Sequence, residues 1–371
     1  MPTIITRGAA SARGYGFGAS KASGGTPFPN AYYQYAFGGS YPCSVPSGTN
    51  RFYVNGTLKF SQSGTGTNGC GSVGASSQNI MSFGFYYGNY SPHMFDNELG
   101  TRKDASASYG GWYSTPYVAI CSKSIVMYCQ GWIFGGTLYR STDGGVTYTT
   151  YGSFSGNMQA MHARGTTVFV STYNSGNNYY YVSTDSGATW TSSGITGLPS
   201  STPNSNPYSF SVYLNGKHNL WIQSGSSSTY NYYTSTNALS WTFIGSVTGN
   251  PGNINPSSSV WYYNGYYYSS IAGSTYDNIA GYRSSNGYTW ATFGVKPSLS
   301  GFGYRQVTAT SSGLVMSYSG YCCSGSSTSP AIWITSSFSP ASSGCWAQLY
   351  SYSYTSFGPL RGIRGYNQDQ G

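Results

Sequence analysis

Short runs of aromatic and β-branched residues recur along the chain, separated by tight polar turns. Val260-Trp261-Tyr262-Tyr263 and Tyr266-Tyr267-Tyr268, divided by Asn264-Gly265, show the pattern at its plainest. Asn-Gly between two such runs is the best short-range hairpin signal, because both residues enter the positive-φ region a two-residue turn requires. Comparable turns stand at Asn55-Gly56, Ser122-Lys123, Arg164-Gly165, Asn215-Gly216 and Ser312-Gly313. No segment carries sustained helical periodicity, and none is apolar for long enough to cross a bilayer. The pattern predicts an all-β chain with no membrane insertion.

A second phrase recurs with the same spacing. It reads Ser141-Thr142-Asp143-Gly144-Gly145-Val146-Thr147-Tyr148, then Ser183-Thr184-Asp185-Ser186-Gly187-Ala188-Thr189-Trp190. Shortened copies follow at Ser235-Thr236-Asn237-Ala238-Leu239-Ser240-Trp241 and Ser284-Ser285-Asn286-Gly287-Tyr288-Thr289-Trp290. Each supplies what a β-turn needs: a carboxylate or amide that accepts backbone N–H bonds, Gly where φ is positive, and an aromatic to pack beneath. The pattern S-x-D-x-G-x-T-W resembles the Asp-box, the sialidase-type (BNR) repeat, and the resemblance implies a β-propeller. The structural residues it implies are Ser141, Asp143, Gly145, Thr147, Tyr148, Ser183, Asp185, Gly187, Thr189, Trp190, Ser235, Asn237, Trp241, Ser284, Asn286, Gly287, Thr289 and Trp290.

The spacing agrees. Successive copies begin 42, 52 and 49 residues apart, and a decayed fifth runs from Thr335 to Trp346. Repeats of about 40 to 50 residues built from strand-like runs indicate four-stranded blades. A blade then reads as inner strand, tight turn, second strand, variable loop, third strand, Asp-box, outer strand. In one unit these strands are 260–263, 266–271, 279–284 and 289–293. Six tight turns favour six blades over 49–355, with 1–48 as an extended attachment segment and 356–371 as a tail or ring-closing strand. A seventh blade would join 32–37 to 360–366. Between Asn79 and Trp112 no Asp-box is recognisable, and this stretch reads as an irregular insertion carrying His93, Asp96, Glu98, Arg102, Lys103 and Asp104.

Composition then narrows the chemistry. With 40 Tyr, 52 Gly and 6% charged residues, the exposed surface must be chiefly hydroxyl, amide and aromatic. Such surfaces resemble antibody paratopes, where Tyr, Ser, Gly and Asn combine contact area with adaptable hydrogen bonding. The net charge of +9 comes from Lys and Arg scattered singly from Arg7 to Arg364. Nucleic-acid binding clusters such residues on one face, so no nucleic-acid partner is expected. Cys43, Cys70, Cys121, Cys129, Cys322, Cys323 and Cys345 match no zinc spacing. Pairs between Cys43 and Cys70, or between Cys345 and either Cys322 or Cys323, stand beside buried free thiols as alternatives. His93, His162 and His218 lie far apart and form no ligand motif, so no metal or cofactor is expected.

Sialidases among Asp-box propellers use an arginine triad, an Arg-Ile-Pro motif, an acid Asp and a Tyr-Glu pair. This chain has no Arg-Ile-Pro, and its one glutamate is Glu98. Of seven acidic residues, Asp143 and Asp185 fall in the turns and Asp369 in the tail, which leaves Asp96, Glu98, Asp104 and Asp277 for a glycosidase pair. The expectation is a noncatalytic protein, with a glycan-cleaving depolymerase as an alternative.

The N-terminal stretch carries Arg7 and Arg13 among Gly and Ala, without the apolar core of a signal peptide. A paratope-like body without an export signal fits a virion protein, made in the host cytoplasm and working outside it. Ile4-Ile5-Thr6-Arg7-Gly8-Ala9-Ala10-Ser11-Ala12-Arg13-Gly14-Tyr15-Gly16-Phe17-Gly18 resembles the opening of tailed-bacteriophage virion and tail-fibre proteins. The resemblance implies a tail-fibre or appendage component, oligomeric in the particle, that joins other virion proteins through its N-terminus and binds host surface glycans. A capsid decoration or connector protein without a glycan role is the alternative. By the strand order above, tight turns and Asp-boxes share one end of the propeller, and the variable loops and interblade crossings share the other. Ligand contacts are expected at that loop-rich end, with Tyr173, Asn177, Tyr230, Tyr276, Asp277 and Tyr321 as candidates.

Overall fold

The computed structural model describes residues 32–36, 49–54, 57–63, 73–75, 79–86, 89–96, 102–104, 109–110, 117–122, 124–129, 137–202, 209–224, 229–248, 260–263, 265–269, 279–297, 303–310, 313–320, 331–351 and 360–365. Their strands, numbered β1 to β28 along the chain, form seven antiparallel sheets among the described residues. Blade 1 combines both ends of the chain, in the order β28 (Leu360–Gly365), β1 (Tyr32–Ala36), β2 (Thr49–Val54) and β3 (Thr57–Ser63). Blade 2 holds β4 (Val73–Ala75), β5 (Asn79–Tyr86), β6 (Asn89–Asp96) and β7 (Arg102–Asp104), with β8 (Tyr109–Gly110) also on β6.

The remaining blades are simple meanders. Blade 3 runs through β9 (Tyr117–Ile120), β10 (Val126–Cys129), β11 (Thr137–Ser141) and β12 (Thr149–Ser153). Blade 4 has three full strands, β13 (Asn157–Arg164), β14 (Thr167–Asn174) and β15 (Asn177–Ser183). Blade 5 follows with β16 (Ser209–Leu214), β17 (Lys217–Gln223), β18 (Tyr230–Ser235) and β19 (Thr242–Ser246). Blade 6 has β20 (Val260–Tyr263), β21 (Tyr266–Ser269), β22 (Ile279–Ser284) and β23 (Ala291–Val295). Blade 7 has β24 (Gly303–Thr310), β25 (Gly313–Gly320), β26 (Ala331–Thr335) and β27 (Ala347–Ser351).

Contacts between first strands close a ring. The succession β4, β9, β13, β16, β20, β24 is completed by β28, which touches both β24 and β4. The C-terminal strand is therefore the innermost strand of the blade that also holds β1. The fold is a β-propeller, and its described residues form seven blades, the alternative to the six that the tight turns favour. Three corrections follow from this arrangement. Tyr32–Ala36, assigned by sequence to the attachment segment, pairs with β2 and β28. The supposed insertion after Asn79 is β5 to β8 of blade 2. The hairpin at residues 55–56 joins the third and fourth positions of blade 1, whereas the other tight turns join the first and second.

Packing explains why the inner strands read as continuous apolar runs. Interior residues of β13, β14 and β17 are buried throughout, because each blade lies between two neighbours. Outer strands differ: β19 is mostly exposed. The core is accordingly divided into seams. Met127, Cys129 and Leu138 of blade 3 meet Met158, Ala163 and Val170 of blade 4, while Trp221 and Tyr232 of blade 5 meet Tyr267 and Trp290 of blade 6.

Candidate binding face

The repeated turns fix the frame. In blade 3, Ser141 Oγ donates to Asp143 Oδ1 (2.7 Å) and accepts from Gly145 N (2.8 Å). Asp143 Oδ1 accepts from Val146 N (3.0 Å) and Thr147 N (2.9 Å), and its Oδ2 from the Thr147 hydroxyl (2.5 Å). Blade 4 repeats this with Ser183, Asp185, Gly187 and Thr189, the Thr189 amide and hydroxyl lying 2.8 and 2.6 Å from the carboxylate. In blade 5, Asn237 Oδ1 accepts from Leu239 N and Ser240 N, both at 2.9 Å, and from Ser235 Oγ at 3.0 Å. In blade 6, Asn286 Oδ1 accepts from Ser284 Oγ (2.9 Å), Tyr288 N (3.1 Å) and Thr289 N (2.8 Å).

These bonds set the charge state of the two aspartates. For Asp143 desolvation is the largest single influence and works against the shift, but the bonds from Thr147, Ser141 and Val146 together outweigh it and hold the pKa at about 2. For Asp185 the Thr189 hydroxyl and amide are the main cause of a pKa of about 2. Both carboxylates are ionised turn acceptors and are poorly placed to act as general acids.

The turns also tie each blade to the one before it. Thr196, beyond blade 4, donates to Leu239 O (2.9 Å) and accepts from Trp241 N (3.0 Å). Thr248, beyond blade 5, does the same with Tyr288 O (2.8 Å) and Trp290 N (3.0 Å). Val295, ending blade 6, donates to Pro340 O and accepts from Trp346 Nε1, both at 2.7 Å. The crossings were expected wholly at the loop-rich end. Their first residues instead hydrogen-bond to the next blade's turn.

At the other end, the described loops meet around blade 4. The β14–β15 hairpin exposes Asn174, Ser175 and Asn177, with Ser155 on one side and Ser200 and Ser201 on the other. Asn178 N donates to Ser200 O (2.8 Å), Thr202 N to Gly176 O (3.2 Å), and Asn177 bridges Ser201. Beneath, the Tyr180 hydroxyl and Asn178 Nδ2 both donate to Pro199 O, at 2.9 and 3.2 Å. Thr172 Oγ1 donates to Ser155 O (2.5 Å). The result is a hydroxyl and amide surface, uncharged over these six exposed residues and held by backbone bonds. Such a surface can satisfy neutral polyols by hydrogen bonding and offers no countercharge for a polyanion.

Of the six candidates named from sequence, Asn177 is exposed in this patch. Tyr173 and Tyr230 are interior residues, 4% and 1% exposed, and their rings cannot serve as a stacking platform. Tyr230 packs instead in the seam between blades 5 and 6, among Phe210, Val247 and Val260. Tyr276, Asp277 and Tyr321 lie outside the described residues, as do Cys43, Cys70, Cys322 and Cys323. Cys121 and Cys345 are free thiols. Burial pushes Cys121 up to about 12 and Cys129 higher still, which leaves both inert.

One pairing escaped sequence reasoning. His162 Nε2 lies 2.8 Å from His218 Nδ1, and His162 Nδ1 lies 2.8 Å from Ser211 Oγ, inside the seam between blades 4 and 5. The two histidines are 56 positions apart, so no motif announces them.

No protein-family model matches the chain, and no curated protein matches it by sequence. Solved structures do resemble it. A protein from Lactobacillus plantarum aligns with 91% of this chain and 99% of its own, at 11% identity and a TM-score of 0.55. A functionally unknown protein from Desulfotomaculum acetoxidans aligns with 89% of this chain and 99% of its own, at 8% identity and a TM-score of 0.53. TolB from Acinetobacter baumannii is more distant, with a TM-score of 0.46 at 11% identity over 94% of this chain and 84% of its own. At these identities the likeness concerns the fold alone, and the class it defines is the β-propeller.

Proposed function

We propose that this propeller is a noncatalytic bacteriophage virion protein, a tail-fibre or other appendage component that binds host surface glycans at its loop-rich end. The observation that carries the reading is the rigid, uncharged patch of Ser155, Asn174, Ser175, Asn177, Ser200 and Ser201. A neutral glycan is recognised by such convergent hydroxyls and amides, and a preformed surface keeps the entropic cost of binding low. The turn sequences, read as Asp-boxes, supply the scaffold. Engagement of Asp143 and Asp185 in the turns supports a noncatalytic role, and the residues before β1 are assigned to attachment within the particle.

A glycan array with the intact protein tests the reading directly. Binding is expected, with no turnover of the bound glycan, and an Asn174→Ala/Asn177→Ala variant should lose about tenfold in affinity with its melting temperature unchanged. Hydrolysis of the ligand would convert the assignment to a depolymerase.

The decoration or connector reading has its own support in adjacent Phe243 and Ile244, 52% and 39% exposed on the outer strand β19, where apolar side chains suit protein contact. Normal particle assembly without binding to any glycan would favour it. Removal of Met1 to Gly25 should spare the thermal transition and abolish incorporation into the particle. If the truncated protein still assembles, the anchor lies elsewhere.

A further inference from the structure

A cluster of apolar side chains lines the seam between blades 4 and 5. Ala160, Phe169 and Val182 face Leu220, Ile222, Tyr233 and Trp241 across it. His162 on β13 is fully buried and His218 on β17 is 3% exposed. Their ring nitrogens, 2.8 Å apart, have room for one proton between them, so one ring donates and the other accepts while both are neutral. Ser211 on β16 occupies the remaining nitrogen of His162.

Among the described residues no carboxylate pairs with either ring. Strands β13 to β18 contain no Asp or Glu. The charged side chains on the strands that carry or flank the dyad are cations. Arg164 ends β13, its guanidinium 4.9 Å from the centre of the Tyr213 ring, and that ring meets His218 edge-on at 5.0 Å. Lys217 begins β17 beside His218. From β14 and the turn after β18 come only rings, Phe169 at 5.6 Å from His162 and Trp241 at 6.5 Å from His218.

We propose that the His162–His218 dyad is an acid-sensitive latch, holding blades 4 and 5 together while neutral and releasing that seam when it is protonated. An added proton creates an imidazolium in an apolar seam beside Arg164, and a second would set two N–H groups against each other. Opening the seam hydrates both rings and removes the conflict. Desolvation first, and then Arg164, holds His218 at about 4 in the closed ring, against 6.5 when free, and burial followed by the His218 charge pushes His162 well below its ordinary value. A depressed histidine stabilises the closed seam fully above pH 6.5, and that stabilisation is lost as pH falls toward 4.

The chain has three histidines, so ring NMR signals of the unmodified protein report on the latch directly. Two of the three should fail to titrate between pH 8 and 6. Hydrogen exchange, corrected for its intrinsic pH dependence, should show amides of β13, β16 and β17 losing at least about 30-fold in protection from pH 7.5 to pH 5, the share that the His218 values alone require. Amides of β21 and β22 should change far less. Ordinary titration of all three rings, unchanged seam protection, or an equal loss in every blade would overturn the latch. In a His218→Gln variant the fall in melting temperature between pH 7.5 and 5 should be less than half that of the parent. A fall as large as the parent's would also refute it, and if the variant does not fold the parent's spectra decide.

Discussion

The repeated turns of blades 3 and 4 are built on a carboxylate, and those of blades 5 and 6 on an amide in a turn one residue shorter. Both begin alike, with a serine hydroxyl donating to Oδ1 and accepting an amide of the turn. They then diverge. In the carboxylate turns the second oxygen takes a threonine hydroxyl, and the Trp190 indole N–H is buried without a hydrogen-bond partner. In the amide turns the indole closes the loop, Trp241 Nε1 donating to Ala238 O (2.8 Å) and Trp290 Nε1 to Gly287 O (3.1 Å). Charge is thus not needed for the turn. What both kinds require is a left-handed residue pressed against the preceding blade, and Gly187, Ala238 and Gly287 all have positive φ.

The most damaging way to break this comparison is at that residue. A Cβ on Gly287 would lie 2.6 Å from the buried Tyr232 ring, which stacks on Trp221 at 4.7 Å and cannot retreat. Gly287→Ala should cost about 3 kcal/mol from overpacking plus left-handed strain, read by urea unfolding. Gly187→Ala meets the flexible Met127 thioether instead and should cost less, about 2 kcal/mol. Equal costs would show that backbone strain alone decides.

Next in size is the acceptor itself. Asp185→Ala should lose about 1 to 2 kcal/mol, by analogy with deleted helix caps, while glycan binding survives wherever the fold does. Loss of binding in a folded, equally heat-stable variant would contradict a structural role.

Acid separates the two kinds of turn. Folded pKa values of about 2, below the free value of 3.8, mean that Asp143 and Asp185 stabilise above pH 3.8 and lose that contribution as pH falls to 2. Exchange at Thr147 and Thr189 should rise over that window, and exchange at Ser240 and Thr289 should not.

The smallest expected effect is at Ala238, whose φ is 61° and whose methyl is fully buried. Ala238→Gly relieves left-handed strain but loses a buried methyl, each worth about 1 kcal/mol, so stability should move by less than about 0.5 kcal/mol.

What the sequence determined by itself is local. The Ser-x-Asp and Ser-x-Asn turns, the Asn215-Gly216 hairpin between β16 and β17, and the meander of each later blade all rest on bonds between residues only a few positions apart. Residue type and spacing suffice there, because the chain holds the partners together before folding begins. Only the tertiary structure decided the rest. Strand β28 enters the ring beside β1, more than 300 positions away in sequence, and this closure makes the count seven. Packing of the blades buries Tyr173 and Tyr230 and leaves Ser155, Ser200 and Ser201 to form the patch with Asn177. Packing of blade 5 against blade 4 likewise brings His162 to His218. Such contacts are chosen by which surfaces a closed ring can bury, a condition on the whole chain that no short stretch of it records.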